Sequence, residues 1–136
     1  MLRSIIRFFN SIFVFFHIRR DVYAKLNNIQ AENIWAQPSL RSKTLCTKIV
    51  SRMIADGLLN FERCNFYPTY AGGVQVEWTT AGVEYEIVFD RFGRWFYGRG
   101  VNINTNAVHQ LMENDGLYLS QNAVKYDSIV EWLRHK

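Results

Sequence analysis

The stretch that decides the fold runs from Tyr67 to Gly100 and has the sequence YPTYAGGVQVEWTTAGVEYEIVFDRFGRWFYGRG. Apolar and polar side chains alternate over residues 74–78 and again over 83–89, the spacing of strands that bury one face and leave the other open. The segment TTAG between them supplies a tight turn, and Gly93 provides a left-handed backbone position for a second turn. The stretch therefore predicts three consecutive strands joined by short turns.

Helical patterns flank this sheet on both sides. We expect residues 94–97 to form the third strand and residues 61–67 to add an edge strand, which gives an antiparallel meander of three or four strands over 61–100. The predicted fold is α+β, with N-terminal helices, the meander, and C-terminal helices over 104–134 that cover one sheet face. At 136 residues the chain is most simply a single domain, 1–136.

Residues 1–20 predict an amphipathic helix rich in phenylalanine. Its apolar residues collect on one side of a helical wheel: Leu2, Ile5, Ile6, Phe8, Phe9, Ile12, Phe13, Phe15 and Phe16. Because polar residues interrupt the apolar run and no small-residue cleavage site follows, we expect neither an export signal nor a membrane-spanning helix, and a cytoplasmic protein. Three interpretations stay open. The helix packs on its own domain, docks on a protein partner or a second copy in a homodimer, or lies on a membrane surface through residues 2–18.

Residues 21–59 predict two further helices. The first spans 21–30, with its opening aspartate as N-cap. The second starts near Ser39, directly after a proline, and ends at Gly57 as its C-cap. At the other end of the chain we expect two short helices, over 105–113 and 123–134.

Charge and cysteine content limit the class of partner and the cellular compartment. The formal net charge is +4, with nine basic and two acidic residues in 1–52 against seven basic and ten acidic in 53–136. A basic front half is typical of proteins that meet an anionic partner, and it makes nucleic acid an alternative partner. The candidate nucleic-acid-binding residues are Arg3, Arg7, Arg19, Arg20, Arg41, Lys43, Lys48 and Arg52. Two cysteines, Cys46 and Cys64, are too few for a disulfide framework, so we expect reduced core thiols, with a single Cys46–Cys64 bridge as the alternative.

Two clusters of the sheet region could carry chemistry. Four carboxylates, Glu77, Glu84, Glu86 and Asp90, are predicted to project from one face of adjacent strands, where they could hold Mg²⁺ as in a metal-dependent nuclease or form a solvated, partner-facing surface. Arginines and aromatics interleave in the second cluster: Arg91, Phe92, Arg94, Trp95, Phe96, Tyr97 and Arg99. They suit base stacking, a protein interface, or a core whose arginines pair with the strand glutamates. We expect no catalytic residue, cofactor or metal ligand.

Part of the chain resembles a loose group of small, uncharacterised bacterial and phage proteins. The shared pattern has a helix, a Trp, a Pro-Ser helix start, P-T-x-x-G-G-V-x-V-E-W, and an acidic strand ending in a glycine turn. The matching residues, within about 22–100, are Trp35, Pro38, Ser39, Pro68, Thr69, Gly72, Gly73, Val74, Val76, Glu77, Trp78, Glu84, Glu86 and Gly93. This chain departs from the group directly after the Trp, where it has Ala36-Gln37. The resemblance implies an accessory protein of a mobile element, sometimes encoded near toxin–antitoxin pairs, and it implies no activity.

The function expected from these observations is non-enzymatic protein binding by an antitoxin-like or anti-defence inhibitor. It would act by steric occlusion of its partner. The residues expected to meet that partner are Phe8, Phe9, Phe13, Phe16, Glu77, Arg91, Arg94, Trp95 and Arg99. A small basic nucleic-acid-binding protein and a metal-dependent nuclease using the strand glutamates are the alternatives.

Overall fold

The structure, a computed structural model, describes residues 2–31, 34–94, 96–112 and 123–134. Its elements in chain order are α1 (Leu2–Asn27), α2 (Leu40–Ala55), β1 (Asn65–Pro68), β2 (Val74–Thr80), β3 (Val83–Phe89), β4 (Phe96–Asn102), β5 (Val108–Met112) and α3 (Ala123–Arg134), with short 3-10 turns at Ile34–Ala36 and Phe61–Arg63. The α+β class is confirmed.

The sheet is an antiparallel meander in which each strand pairs with its neighbour in sequence, in the order β1-β2-β3-β4-β5. It has five strands, so the predicted count of three or four is wrong. The strand predicted over residues 94–97 corresponds to β4, which starts at Phe96 and extends to Asn102. The predicted edge strand corresponds to β1, which begins only at Asn65, after a 3-10 turn. The β2–β3 turn has two central residues with positive φ, Ala81 at 50° and Gly82 at 76°, as two-residue hairpins require.

The fifth strand occupies the segment for which a helix over 105–113 was predicted, and that prediction is wrong. The turn before it explains why. The side-chain oxygen of Asn102 accepts bonds from the N–H groups of Asn104 (2.9 Å) and Thr105 (3.1 Å), and Asn106 adopts a left-handed φ of 59°. Such asparagine turns reverse the chain, which brings β5 beside β4, where its backbone pairs with the β4 edge.

The N-terminal helix is one continuous element of 26 residues, not two helices divided near Asp21. No glycine or proline interrupts residues 2–27, so nothing breaks the helix at the expected boundary. Its C-terminal half packs on the domain through buried Val22 and Leu26. Lys25 fixes this half further, because its ammonium donates to the carbonyl oxygens of Phe61 (3.2 Å) and Cys64 (2.7 Å).

The second helix has the predicted N-cap, Ser39, but its C-cap is Asp56, and Gly57, the predicted C-cap, is the residue that follows. The Ser39 hydroxyl accepts the N–H of Ser42 (3.0 Å), which satisfies one of the free donors of the first turn. At the other end Gly57 has φ +74°, its N–H donates to Ile54, and the N–H of Leu58 donates to Met53 (2.9 Å). This pair of bonds is the Schellman arrangement that ends a helix at a left-handed residue.

The hydrophobic core lies between one face of the sheet and the helices. The buried sheet residues are Val74, Val76, Trp78, Tyr85, Ile87 and Phe89, and they meet Leu45, Cys46, Ile49, Val50 and Met53 of α2 and Tyr126, Ile129 and Trp132 of α3. Both cysteines are buried and unbridged, as expected. Burial raises the pKa of the Cys46 thiol, and the nearby Cys64 adds to the rise.

The third helix is tied to the second by a polar contact at the edge of the core. The hydroxyl of Tyr126 donates to the carboxylate of Asp56, and the guanidinium of Arg52 lies 3.9 Å from the centre of the tyrosine ring. Burial, followed by the hydrogen bond to Asp56, raises the pKa of Tyr126 well above its usual range. The predicted helix over 123–134 is confirmed with these bounds.

Candidate functional site

The face of the sheet that the helices leave uncovered carries the densest group of polar side chains. The strand register places Glu77 of β2 directly opposite Glu86 of β3, and Glu86 directly opposite Arg99 of β4. Glu84 lies two residues along β3 on the same face. Like charges opposite each other in neighbouring strands destabilise a sheet, so this pair is retained at a cost to stability.

A glutamine and a tyrosine lie beside this acidic pair. The amide of Gln75 donates to both carboxylates, at 2.6 Å to Glu77 and 3.2 Å to Glu86. The Tyr97 hydroxyl bonds to Glu86, and its pKa is raised by burial and then by the glutamate charge. Sequence analysis missed Gln75 as a site residue and placed Tyr97 only in the arginine and aromatic cluster, although alternation puts both on the face of Glu77 and Arg99.

The three glutamates and Arg99 line a shallow depression of about 460 Å³. Its polar lining residues are Arg63, Asn65, Glu77, Thr79, Glu84, Glu86 and Arg99. Among the described residues no ion pair joins the three glutamates to a basic side chain. The depression is therefore an acidic surface whose charge is only partly balanced by two arginines.

Asp90 does not belong to this face, so its expected place beside the three glutamates is wrong. The strand ends at Phe89, and Asp90 turns inward, where it is buried and accepts the N–H of Arg94 (2.7 Å). Alternation no longer applies once the chain enters the turn. Within the part of the chain that the structure describes, no three histidine, cysteine, aspartate or glutamate side chains converge in a way that could hold a metal ion.

The arginine and aromatic cluster divides between two places. Arg91 and Arg94 lie in the β3–β4 turn and both stack on the exposed ring of Phe92, at 5.6 and 5.5 Å from its centre. Arg99 lies on the open sheet face, away from them along β4. Trp95 lies outside the described residues.

The phenylalanines of α1 form a third location. Phe13 and Phe16 are exposed, and so are the apolar side chains around them. The side chains of residues 2–7, 12–14 and 16 are exposed, so the interpretation in which this helix packs on its own domain does not hold for them. Phe8 and Phe9 belong to the same helix, but their side chains lie outside the described part of the structure. No helix in the described residues is long and apolar enough to cross a bilayer.

The predicted nucleic-acid-binding residues also separate. Arg3, Arg7, Arg19 and Arg20 belong to α1. On α2, Arg41, Lys48 and Arg52 recur at a spacing of seven and four residues, which sets them along one exposed stripe. Lys43 projects elsewhere and donates to Asn27 of α1 (2.9 Å).

The P-T-x-x-G-G-V motif before β2 has a structural role where it meets the start of α2. The N–H of Ser39 donates to the carbonyl of Gly72 (3.0 Å), and its hydroxyl donates to the carbonyl of Arg91. Thr69 and Gly73 bond to each other twice, at 2.9 and 3.2 Å. The motif thus ties the helix start to the β1–β2 loop and to the β3–β4 turn.

Comparisons with known proteins add no family to this description. No protein-family model, no curated protein and no solved structure matches the chain.

Proposed function

We propose that this chain is a non-enzymatic protein-binding module, an inhibitor of the antitoxin-like or anti-defence kind that acts by steric occlusion. The observation that carries the proposal is the acidic depression on the open sheet face, with Glu77 held opposite Glu86. The resemblance to proteins of mobile elements supports the inhibitor class. The partner surface that fits this face is basic.

The physical argument rests on preorganisation and on charge. The glutamates project from paired strands, so little conformational freedom is lost when a partner binds. Two carboxylates that repel each other gain most from a cation placed between them, because such a cation relieves the repulsion and adds its own attraction. A lysine or arginine of the partner would take this position, and the bulk of the chain would then cover the surrounding surface.

The test begins with identification of the partner by cross-linking in the native host, followed by titration of the purified partner with the purified chain. We expect one-to-one binding that blocks the partner's activity. Glu77→Lys should weaken binding about a hundredfold, since a like charge set against a basic surface costs several kcal/mol. The same substitution turns the Glu77–Glu86 pair into an attractive one, so the melting temperature should not fall.

The matched control is Asp127→Lys, which makes the same charge change at an exposed residue of α3. It should bind the partner as wild type does. Equal loss in both variants would mean that net charge alone governs binding, and the proposal would fail. Cleavage of nucleic acid that Glu77→Gln abolishes would also contradict it, because the chain would then be an enzyme.

Nucleic-acid binding is the second candidate, and the stripe Arg41–Lys48–Arg52 on α2 favours it. Three phosphate contacts predict that the logarithm of the affinity falls with the logarithm of salt concentration at a slope of about −2.7. Fluorescence anisotropy with duplex and single-stranded oligonucleotides measures that slope. Binding that is insensitive to salt, or unchanged in Lys48→Gln, would remove this candidate.

A further inference from the structure

The first four turns of α1 project an apolar surface into solvent. Phe13 is 65% exposed, Phe16 70% and Leu2 73%, and Ile5, Ile6 and Ile12 are each half exposed. Soluble proteins seldom leave so many large apolar side chains together on one element, and where they do the patch marks a binding surface. We name this surface, formed by Leu2, Ile5, Ile6, Ile12, Phe13 and Phe16, the apolar face of α1.

The apolar face points away from the domain that carries it. At about 100° of rotation per residue, its centre lies about 140° around the helix from the side on which Ile18, Val22 and Leu26 pack on the core. From Arg19 onward the outer side becomes polar, with exposed Arg20 and Asn27. A rigid helix cannot turn the apolar face onto its own core, and no other part of the chain that the structure describes covers it, which leaves the face open to an external surface.

The charge of the helix indicates which surface this is. Residues 1–20 contain four arginines and no acidic residue. A second copy would bring two such helices side by side and place eight arginines together, with only the two Asp21 carboxylates of the same helices to balance them. An anionic lipid surface satisfies both properties at once, because its acyl chains accept the phenylalanines and isoleucines and its headgroups attract the arginines.

We propose that residues 2–20 form an amphipathic helix that lies on an anionic membrane surface, with the domain held in the aqueous phase beside that surface. The geometry permits this orientation. The polar side of the segment, which includes exposed Arg3 and Ser4, lies toward the headgroups and the solvent when the apolar face is down. The domain, packed on the side opposite to the apolar face, then sits clear of the bilayer.

The experiment is flotation of the full chain with two kinds of vesicle, phosphatidylcholine alone and equal parts phosphatidylcholine and phosphatidylserine. We expect strong binding to the mixed vesicles and at least tenfold weaker binding to the neutral ones. Phe13→Ser with Phe16→Ser should abolish binding. Arg3→Gln and Arg20→Gln should each reduce binding to the anionic vesicles about fivefold, the share of one arginine near a charged bilayer.

Matched controls separate this effect from unfolding and from general hydrophobicity. Ile34→Ser with Tyr70→Ser removes two equally exposed apolar side chains elsewhere and should leave flotation unchanged. Because Phe13 and Phe16 are exposed, their serine variant should keep the wild-type melting temperature. Glu77→Lys should float as wild type does, so failure of the sheet-face proposal would not affect this test.

Three outcomes would overturn the proposal. The first is equal flotation with neutral and anionic vesicles, which would remove the role of the arginines. The second is absence of flotation with either vesicle. The third is a concentration-dependent dimer, seen by sedimentation velocity without lipid and lost in the Phe13→Ser, Phe16→Ser variant, which would make a second copy the occupant of the apolar face.

Discussion

Gly73 provides the sharpest test of whether the glycine pair of the motif serves the fold or the partner. A Cβ atom added at Gly73 would lie 2.1 Å from the carbonyl oxygen of Phe89, closer than any normal contact. That carbonyl belongs to a strand paired with β2 and accepts the hydroxyl of Ser42 at 3.4 Å, so it has little room to retreat. Alanine at this position must therefore separate the two backbones.

The magnitude follows from two contributions. Overpacking in a tight site costs about 1–3 kcal/mol, and a displaced hydrogen bond adds about 1 kcal/mol. We expect Gly73→Ala to lower the free energy of unfolding by about 3 kcal/mol, which lowers the melting temperature of a chain of this length by about 12 °C. Urea denaturation and a thermal melt followed by circular dichroism measure both quantities.

Gly57→Ala is the control, because that glycine has φ +74° but nothing within 4 Å of an added Cβ. It should lose only about 1 kcal/mol, the strain of a left-handed residue with a side chain. The reasoning is refuted if Gly73→Ala is as stable as Gly57→Ala. If it keeps full stability but no longer binds the partner, the glycine pair serves recognition instead.

Three further predictions concern packing and ionisation. Since the pKa of Tyr126 is raised above its unfolded value of about 10, the stability that it contributes is present below pH 10 and lost as pH rises through the folded pKa. The gap in unfolding free energy between wild type and Tyr126→Phe should therefore shrink above pH 10 in urea titrations, and a gap that widens contradicts the contact. Lys25→Ala should lose about 2 kcal/mol in the same assay because two backbone carbonyls lose a charged donor, whereas Lys43→Ala, with one exposed partner, should lose less than half of that. A thiol reagent at pH 8 should label neither Cys46 nor Cys64 in the native chain, because both thiols are buried, and it should label both in denaturant. Rapid labelling of the native chain would contradict this burial.

Short-range patterns predicted the parts of the fold in which local chemistry and tertiary packing agree. Alternation predicted β2 and β3 because the same residues that favour a strand also bury one face. The N-cap at Ser39 and the left-handed Gly57 that ends the second helix were predictable to within one residue because helix termini use only neighbouring groups. The open-face glutamates followed from the same alternation, up to the point where the strand ends before Asp90.

The wrong predictions concern features that depend on tertiary contacts, which a short stretch of sequence does not contain. The apolar pattern of residues 107–112 fits one side of a helix as well as a strand. The segment forms a strand because the Asn102 turn reverses the chain and the edge of β4 is free to pair with it. Asp21 resembles an N-cap, but an N-cap requires a break in the preceding helix, and the sequence before it contains none. Only the C-terminal half of α1 packs on the domain. Helical periodicity shows that the phenylalanines share one side of the helix, but it does not show where along the helix that packing begins.

The hydrogen bonds of Ser39 link the order of assembly to the shape of the fold. Each hairpin of the meander closes a short loop, so the sheet can form at little entropic expense, whereas the bond from Ser39 to Arg91 spans 52 positions. We therefore expect the helix start to be fastened only after the β1–β2 and β3–β4 hairpins have formed, so that its contacts are absent from the folding transition state. Ser39→Ala should consequently raise the unfolding rate in stopped-flow measurements and leave the folding rate nearly unchanged. The contacts of this serine therefore contribute to the kinetic stability of the native chain.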